Sequence, residues 1–514
     1  MAEDSMRKWL PLLTVCLGTF MLLIDVTIVN VALPDMAKDL HTSFGSLQWV
    51  VDAYALTLAA LVLGTGSIAD LVGHRRAYVA GLALFAASSF ACGIAPGSTT
   101  LVTARAVQGI GAAAMFATTF ALLNSSYSGR DRGTAYGLWG AVAGGSAAVG
   151  PILGGLLTEG VSWRWIFFVN LPVSVVAIAL CVRVLDDAHA PVHGRVDVLG
   201  MALFTGAAGT LTYGLIRANE HGWSPPATWL WLVASPVLLL AFLVAEARIA
   251  SPMLDLALMR NRSFVGVLVA ALVMTFAAFA SFTYTSIWLQ SVLGMSPIEA
   301  GLTGLPLSLA AFAVSAAIGR FLHGSRPGPI IGGGMLIVGV GGLVGAALVH
   351  GGATWPELVP GFLLIGIGVG LGTPTLSSAA MAAVPVQRGG MAAGAVNTAR
   401  QLGFALGIAA LGSVFATRAR QVLTDHGVPS ASGAARALAG GQRPVLLSSA
   451  PPTARGRLDA ALHAAAVGGV QWTFLVSGVV GVLVGLLVLA LIRPAAAPAE
   501  AGPVTDPAAE PALS

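Results

Sequence analysis

Long apolar segments recur along the whole chain and restrict its fold more than any other feature of the sequence. In the first of them, from Leu10 to Leu33, Asp25 is the one charged residue. At about 1.5 Å of rise per residue, this segment makes a helix of roughly 36 Å, which exceeds the bilayer core of about 30 Å. It is too long for a signal peptide and has no small-residue cleavage site. The segment therefore predicts a transmembrane helix.

Residue composition indicates the same class of protein. Only 9% of the 514 residues are charged, 56% are hydrophobic, and the mean hydropathy is +0.85, which is typical of polytopic membrane proteins. Three cysteines lie in apolar segments without the spacing of a disulfide framework or a metal site. The chain has no G-x-x-x-x-G-K-[ST] phosphate loop. We therefore expect no cofactor, no metal, no nucleic-acid partner and no ATP hydrolysis by the chain itself.

Fourteen segments are long and apolar enough to span a membrane, so the sequence predicts an all-α polytopic membrane protein. We expect two six-helix bundles, at 1–190 and 261–493, with two additional helices at 191–260 between them and a disordered tail at 494–514. The predicted spans are 10–33, 47–69, 77–95, 99–123, 136–158, 165–185, 197–216, 228–248, 263–290, 300–322, 330–349, 357–383, 393–416 and 470–492.

The distribution of basic residues predicts how these helices are oriented. With the N-terminus inside, the inner side carries fifteen Lys and Arg residues, whereas the short outer loops carry only Lys38, Arg164 and Arg217. The segment 417–469 has six arginines and still falls outside, because long loops cross membranes largely regardless of charge. Its Ala, Gly, Ser and Pro content predicts a mostly flexible loop, with a candidate amphipathic helix at 454–467. Both termini are thus expected in the cytoplasm.

A shift of 257 residues aligns two regions of the chain without gaps. The tripeptide Gly-Ile-Gly at 109–111 falls on the same tripeptide at 366–368. Chance is the alternative in a chain with 64 glycines, but the shared tripeptide and the equal loop length favour duplication. Transporters are often built from two such repeats with the substrate between them. The halves also differ, since Arg105 of the first falls on Phe362 of the second.

Charged residues inside the predicted spans are the strongest candidates for function. A charge near the bilayer middle is costly unless it is paired or faces water. Asp25, Asp52 and Arg105 all fall in the outer half of the first bundle, and Asp25 lies roughly 13 Å deep. A carboxylate beside a fixed cation can exchange a proton for a cationic ligand. The alternatives are a structural ion pair for Asp25 and Arg105, and a place at the membrane interface for Asp52.

A second set of residues is a candidate lining for a cavity between the bundles. Arg400 lies in the inner half with no acid at its depth, so nearby amides or a substrate would have to satisfy it. Aromatic residues and methionines could form an adaptable drug site, although such residues more often face lipid or the core. The polar candidates are Asn30, Asn397, Arg400 and Gln401, and the apolar ones are Phe279, Phe282, Tyr284, Trp288 and Met381.

The segment GSIADLVGHRR at 66–76 is the first of several motifs. Its glycines allow close helix approach and a tight turn, and its aspartate, Asp70, can cap a helix start or pair with an inner arginine such as Arg130 or Arg132. The other motifs are MLLIDVTIVNVALP (21–34), LVTARAVQGIGAAAM (101–115), GGSAAVGPILGG (144–155) and WRWIFFVNLP (163–172). Together they resemble the major facilitator superfamily, in particular its fourteen-helix drug:proton antiporters, over nearly the whole chain.

The resemblance implies roles for individual residues. Asp25 is implied to face the central cavity and to hold a proton or a positive substrate in turn, while Arg105 tunes proton coupling. The 66–76 loop is implied to be a conformational latch, although Leu71 and His74 stand where the family usually has basic residues. Its matching residues are Gly66, Asp70, Gly73 and Arg75, and the residues of the antiporter motif are Gly145, Gly150, Pro151, Gly154 and Gly155.

The expected function is proton-coupled efflux of lipophilic, cationic drugs or antibiotics by a monomer in the cell membrane. A dedicated exporter of one self-made metabolite would have the same sequence features. A membrane sensor without transport is a further alternative, but no attached soluble domain supports it. An enzyme is disfavoured, because the one pair with metal-ligand spacing is His189 and His193, and Pro191 lies between them.

Overall fold

The structure is a computed structural model, and it describes residues 2–42, 44–185, 196–249, 252–321, 326–385 and 388–492. Within these ranges the secondary structure is entirely helical. The histidine pair at 189 and 193 and the tail at 494–514 lie outside them. The first half of the chain forms α1 (Ala2–Asp39), α2 (Phe44–Val72), α3 (His74–Gly93), α4 (Ser98–Ser126), α5 (Gly129–Gly160), α6 (Trp165–Phe168) and α7 (Asn170–Val184).

A helical hairpin follows, made of α8 (Val198–His221) and α9 (Pro226–Glu246). A 3₁₀ turn at Leu256–Arg260 then leads to the second half. Its first span contains two π-helical turns, at Phe276–Ala280 and Trp288–Val292, and a further 3₁₀ turn lies at Trp355–Leu358. The helices are α10 (Arg262–Thr275), α11 (Ser281–Ile287), α12 (Pro297–Leu302), α13 (Leu305–Phe321), α14 (Pro327–Leu348), α15 (Val359–Ala382), α16 (Gly389–Asp425), α17 (Ala431–Ala439), α18 (Arg443–Ser448) and α19 (Pro452–Leu491).

Thirteen stretches of the described helices are long and apolar enough to cross a membrane. The 32-residue helix α5 is not among them, and with α5 the count would reach the fourteen that the sequence predicts. The apolar character of these helices places them in lipid, where a helix satisfies its own backbone groups. The all-α membrane fold is therefore confirmed.

Two helical bundles form the body of the molecule. In the first, α2 and α3 pack on α4, and α1 packs on α5; in the second, α13 and α14 pack on α15, and α10 packs on α16. The bundles meet where α5 lies against α13 and where α2 and α4 lie against α16. Helix α8 contacts both α2 and α16. We call the end of the molecule at which α1 begins the near end, and the opposite end the far end.

Glycine contacts support the internal repeat. Gly109 on α4 lies against α2, and its counterpart Gly366 on α15 lies against α13. Likewise Gly111 lies against α3, and Gly368 lies against α14. Small residues at such positions let two helix backbones approach closely. Equivalent glycines therefore serve equivalent helix contacts in the two halves, which a chance alignment would not produce.

The segment 417–469 is not the flexible loop that its composition predicts. Helix α16 continues to Asp425, α17 and α18 follow, and α19 begins at Pro452. The predicted amphipathic helix at 454–467 is the first part of the 40-residue α19 rather than a separate element. Alanine, leucine and arginine are strong helix formers, proline suits the first helical turn, and the apolar side chains of Leu438 and Leu462 are buried here. Local helix propensity together with this packing outweighs the glycines and prolines.

Candidate functional site

An ion pair between Asp25 on α1 and Arg105 on α4 lies at the centre of the first bundle. Nη1 of Arg105 donates to Oδ2 of Asp25, and both side chains are fully buried. Nε of Arg105 also donates to the carbonyl of Val50 on α2 at 2.9 Å. The guanidinium carbon lies 4.2 Å from the ring centroid of Tyr54, a distance suited to a cation–π contact. Three helices thus enclose the charge of Arg105.

Two amides complete the polar shell around the carboxylate of Asp25. Nε2 of Gln108 donates to Oδ1 of Asp25 at 3.1 Å, and Nδ2 of Asn170 donates to the same oxygen at 3.3 Å. Oε1 of Gln108 accepts from Arg105 at 2.8 Å, and Asn170 also donates to Oγ of Ser89 at 3.1 Å. Buried charges persist when they are paired and hydrogen-bonded in this way.

Sequence reasoning identified the two charges of this cluster and missed its neutral members, Gln108, Asn170 and Ser89. A signal existed for two of them. Gln108 follows Arg105 by three residues, so both lie on one helix face, and Asn170 belongs to the motif WRWIFFVNLP. Asp52, the third predicted charge of the region, has a partly exposed side chain on α2.

The position of Asp25 differs from the hypothesis that its carboxylate faces an open cavity. Its side chain has no exposed surface in this conformation, because Arg105, Gln108 and Asn170 surround it. A proton or a substrate can reach the carboxylate only after these helices move apart. In this conformation the carboxylate of Asp25 is therefore closed off from solvent.

The two bundles are joined at the near end by Asp70, the last acid of α2. Its two oxygens accept from the backbone N–H groups of Gly390 at 2.7 Å and Met391 at 2.9 Å, in the first turn of α16. Nε2 of His74 lies 2.8 Å from Asp70 Oδ1. A carboxylate satisfies the free N–H groups of a helix start and interacts favourably with the helix dipole. At Gly66 a Cβ would lie 2.4 Å from the Gly390 carbonyl oxygen, so this approach requires glycine.

Two roles are predicted for Asp70, capping a helix or pairing with an arginine of α5. In the structure Asp70 caps α16 and does not pair with either arginine. Arg132 donates instead to a backbone carbonyl at the end of α4 at 2.8 Å, and Arg130 is exposed. Arg75 donates to the carbonyl that follows α7 at 2.9 Å. Gly73 has a φ of 101°, which only glycine adopts at low cost, and it makes the turn between α2 and α3.

The glycine motif at 144–155 lies where α5 meets other helices. A Cβ at Gly150 would lie 1.8 Å from a hydroxyl oxygen of α1, and a Cβ at Gly155 would lie 2.5 Å from a side chain of α12. Gly145 has open space around its Cα. Gly154 is buried, and the side chain of Pro151 lies outside the described part of the structure. Close packing of α5 on both bundles thus depends on Gly150 and Gly155.

The predicted polar residues between the bundles have separate partners. Nδ2 of Asn397 donates to a carbonyl of α4 at 2.9 Å, which links the two bundles. Nη2 of Arg400 donates to Oγ1 of Thr373 at 3.2 Å, and no acid in the described ranges forms an ion pair with it. Gln401 is partly exposed, and the side chain of Asn30 is not described. Among the described residues, Arg400 thus has a hydroxyl rather than a carboxylate as its partner.

The aromatic candidates divide into two groups. Tyr284, Trp288 and Met381 are buried in the core, and the hydroxyl of Tyr284 donates to a carbonyl of α16 at 2.6 Å. Phe279 and Phe282 are partly exposed. The alternative of a core role thus applies to the first three residues.

Comparison with known proteins identifies the family. The pattern of the Major Facilitator Superfamily matches residues 15–408. The chain belongs to this superfamily. Among its relatives, the multidrug resistance protein Stp of Mycobacterium tuberculosis (strain CDC 1551 / Oshkosh) is 36% identical over 81% of this chain and 78% of its own length. The tetracenomycin C resistance and export protein of Streptomyces glaucescens is 32% identical over 93% of this chain and 90% of its own length.

Solved structures of the superfamily have the same fold. The human organic anion transporter MFSD10 (TETRAN) superposes with a TM-score of 0.61, covering 94% of this chain and 99% of its own, at 15% sequence identity. Similarity at this level concerns the fold alone.

Membership of the Major Facilitator Superfamily makes the chain a transporter rather than an enzyme. The two relatives named above are multidrug and antibiotic resistance proteins, and proton coupling is typical of the family. Within this superfamily fold, the Asp25 cluster lies inside one bundle, and the Asp70 contact joins the two.

Proposed function

We propose that the chain is a proton-coupled antiporter that exports lipophilic drugs or antibiotics by alternating access. The buried pair of Asp25 and Arg105 is the observation that carries this proposal. A membrane protein holds an acid at this depth at considerable cost, and such acids are usually parts of ion or proton pathways. The resistance proteins among the relatives supply the substrate class.

The geometry suggests how a proton would act on the cluster. A proton on Asp25 removes its charge and so weakens its attraction to Arg105. Arg105 keeps two hydrogen-bond acceptors, the carbonyl of Val50 and Oε1 of Gln108, and its contact with the Tyr54 ring, so its charge stays partly compensated. The contact that would loosen is the one between α1 and α4. Movement of α1 would open the cluster, and the bundles would rock around it.

Asp70 is the second functional element of the proposal. In this conformation it fastens α2 to the start of α16, so the near end is closed. We propose that the near end faces the cytoplasm, as the excess of basic residues there indicates, and that both termini lie on that side. The transporter then works as a monomer in the cell membrane, and the 66–76 loop is its latch.

A dedicated exporter of one metabolite remains the second candidate, and a specific comparison favours it. A relative that covers almost the whole chain is a resistance and export protein for one compound, tetracenomycin C. Both candidates require the same coupling site, and they differ in the number of substrates.

The test is efflux of ethidium, a lipophilic cation, from cells that produce the wild type, Asp25→Asn or Asp39→Asn. Asp39 lies on the same helix with an exposed side chain, so its variant is the matched control. We expect energy-dependent efflux by the wild type and the control, its loss on addition of an uncoupler, and its loss in Asp25→Asn.

Each other outcome removes one part of the proposal. Equal efflux by Asp25→Asn would show that Asp25 is structural. Efflux that resists the uncoupler would exclude proton coupling. Absence of ethidium efflux by the wild type would favour the dedicated exporter, and the same cells would then be tested for resistance to polycyclic aromatic antibiotics.

A further inference from the structure

Two buried acids meet at the near end of the α8–α9 hairpin, away from the Asp25 cluster. Asp197 immediately precedes α8, and Glu246 is the last residue of α9; their exposed fractions are 7% and 3%. One oxygen of each is satisfied by the backbone. Oδ1 of Asp197 accepts from the N–H of Gly200 at 2.7 Å, and Oε2 of Glu246 accepts from the N–H of Leu254 at 3.2 Å.

The remaining two oxygens lie close together. Oδ2 of Asp197 and Oε1 of Glu246 are buried and have no hydrogen-bond donor. A Cβ at Gly200 would lie 2.3 Å from the first and 2.6 Å from the second, so both oxygens occupy the same small space above the first turn of α8. Two carboxylates in such a space cannot both be ionised without a counter-charge.

Among the residues that the structure describes, no charged group supplies that counter-charge to the pair. In the described ranges neither acid forms an ion pair. In the stretch that follows α9, Asp255 is paired with Arg388 at 2.8 Å. Arg248 follows α9 and forms no ion pair with a described residue. On α2 the residue against the start of α8 is the uncharged Gly64.

We propose that Asp197 and Glu246 hold one proton between them and form a second proton-binding site, at the near end of the α8–α9 hairpin. A metal ion fits the geometry less well. Calcium takes six to eight oxygen ligands and magnesium about six, whereas only two oxygens are free here. The described residues contain no group of three or more His, Cys, Asp or Glu side chains that could hold a metal.

The shared proton connects the hairpin to the junction between the bundles. Glu246 binds the backbone of Leu254, and the next residue, Asp255, pairs with Arg388. Arg388 immediately precedes α16, whose first turn is capped by Asp70. Loss of the proton leaves two negative charges in contact, and their repulsion separates α9 from α8 and strains the Leu254 contact. In this way the pH at the near end of α8 and α9 affects the contacts between the two bundles.

Infrared spectroscopy of the full-length protein in nanodiscs, without substrate, tests the shared proton. The spectrum of the wild type minus that of Glu246→Gln should contain the carbonyl band of a protonated carboxylic acid at neutral pH, and this band should disappear as the pH rises. The matched control is Glu159→Gln, an exposed acid at the end of α5, whose difference spectrum should lack the band. A wild type without the band at any pH above the range of ordinary carboxylates would overturn the proposal.

Hydrogen–deuterium exchange of the peptide around Leu254, in the wild type and in Glu246→Gln, tests the connection. After correction for intrinsic exchange, we expect the protection of this amide to fall about tenfold as the proton is lost, the value of one hydrogen bond. In Glu246→Gln the amide group can donate to Asp197 in place of the proton, so protection should stay high and independent of pH. A wild type with pH-independent protection would refute the connection. Neither measurement depends on efflux, so the proposal can fail while the transport function stands.

Discussion

The two halves of the molecule place different chemistry on the same helical frame. The 257-residue offset that relates them puts Asp25 on Phe282 and Arg105 on Phe362. In the first half these positions form a buried ion pair. In the second half they form an aromatic pair, with ring centroids 5.7 Å apart. One frame thus holds an ionic contact in one bundle and an apolar contact in the other.

The same contrast extends to the residues around each pair. Gln108 and Ser89, which surround the ion pair, fall on Ile365 and Ala346 in the second half. The second bundle thus has the equivalent helix contact without a polar cluster. A buried ion pair seldom stabilises more than an apolar pair of similar size, so stability alone does not account for the charges of the first half, and we assign them to the proposed proton coupling.

The largest expected effect on stability and on proton coupling comes from replacing the charges of the first half by apolar side chains like those of the second. The single variant Arg105→Met leaves Asp25 buried without its partner, which should cost about 3–5 kcal/mol of unfolding free energy. The double variant Asp25→Leu, Arg105→Met replaces the pair by apolar side chains and should recover most of that loss. Neither variant should exchange substrate for protons. Unfolding in detergent and proton uptake by proteoliposomes measure the two effects.

The double variant separates the structural and functional roles of the pair. A double variant as unstable as the single one would mean that the bundle depends on the ion pair for its fold. A double variant that still couples proton uptake to efflux would place the coupling elsewhere in the chain.

Glycine contacts that both halves share should respond alike. Gly150 of the first half falls on Gly407 of the second. A Cβ at Gly150 would lie 1.8 Å from Oγ1 of Thr27, and a Cβ at Gly407 would lie 2.5 Å from Cβ of Ala280. We expect Gly150→Ala and Gly407→Ala each to cost roughly 1–3 kcal/mol, measured by thermal unfolding. Gly145→Ala, which meets open space, is the control.

Compensating changes make the glycine comparison specific. Ala280→Gly should restore part of the stability lost in Gly407→Ala, because it removes the atom that the new Cβ meets. Thr27→Ala should do the same for Gly150→Ala. A loss in only one half would contradict the view that the repeat uses these contacts equivalently.

The near-end junction is asymmetric in the same way as the ion pair, because the first half supplies a carboxylate and the second half backbone N–H groups. Asp70→Ala should lower the stability of the closed conformation by about 1–2 kcal/mol, the usual value of a lost helix cap. Spin labels on the exposed residues Val72 and Arg326, one on each bundle, would report the opening as a new population at longer distance. An unchanged distance distribution would show that Asp70 only stabilises α16.

The membrane fold can be predicted from the sequence because the requirement for an apolar span applies to each segment of the chain separately. Each span must be apolar over the thickness of the bilayer, and this can be counted along the chain. Segment 417–469 was mispredicted for the opposite reason. Its short helices α17 and α18 lie outside the stretches that are long and apolar enough to span a membrane. The composition of the segment, with glycine and proline beside alanine, does not separate a helix from a loop.

The candidate site was only partly predictable. Asp25 and Arg105 stand out because a charge is rare inside a span. Ser89 does not stand out, because serine is common in helices and its role depends on which helix packs beside it. The pairing of Asp197 with Glu246 depends on the way α8 folds back on α9, and no spacing in the sequence indicates it.

The smallest effect is expected at the far end of α1, where Asp39 accepts from Arg164 and, at 3.0 Å, from Nε1 of Trp163. Its counterpart in the second half is Ser296, which caps α12 with Glu299. The hydrogen bond from Arg164, with that from Trp163, lowers the pKa of Asp39.

The stabilisation by Asp39 is therefore present above its unfolded pKa of about 3.9 and is lost as the pH falls through the lower folded value. Because the pair is exposed, Asp39→Asn should cost less than about 1 kcal/mol at neutral pH. The difference in melting temperature between the variant and the wild type should shrink in acid and in high salt, since salt screens exposed pairs. If the difference in melting temperature persists at a pH below the pKa of Asp39 in the folded protein, the charge of Asp39 is not its cause. The effect would then come from the asparagine side chain, and hydrogen bonds alone would hold the far end of α1, as the hydrogen bonds of Ser296 hold the start of α12.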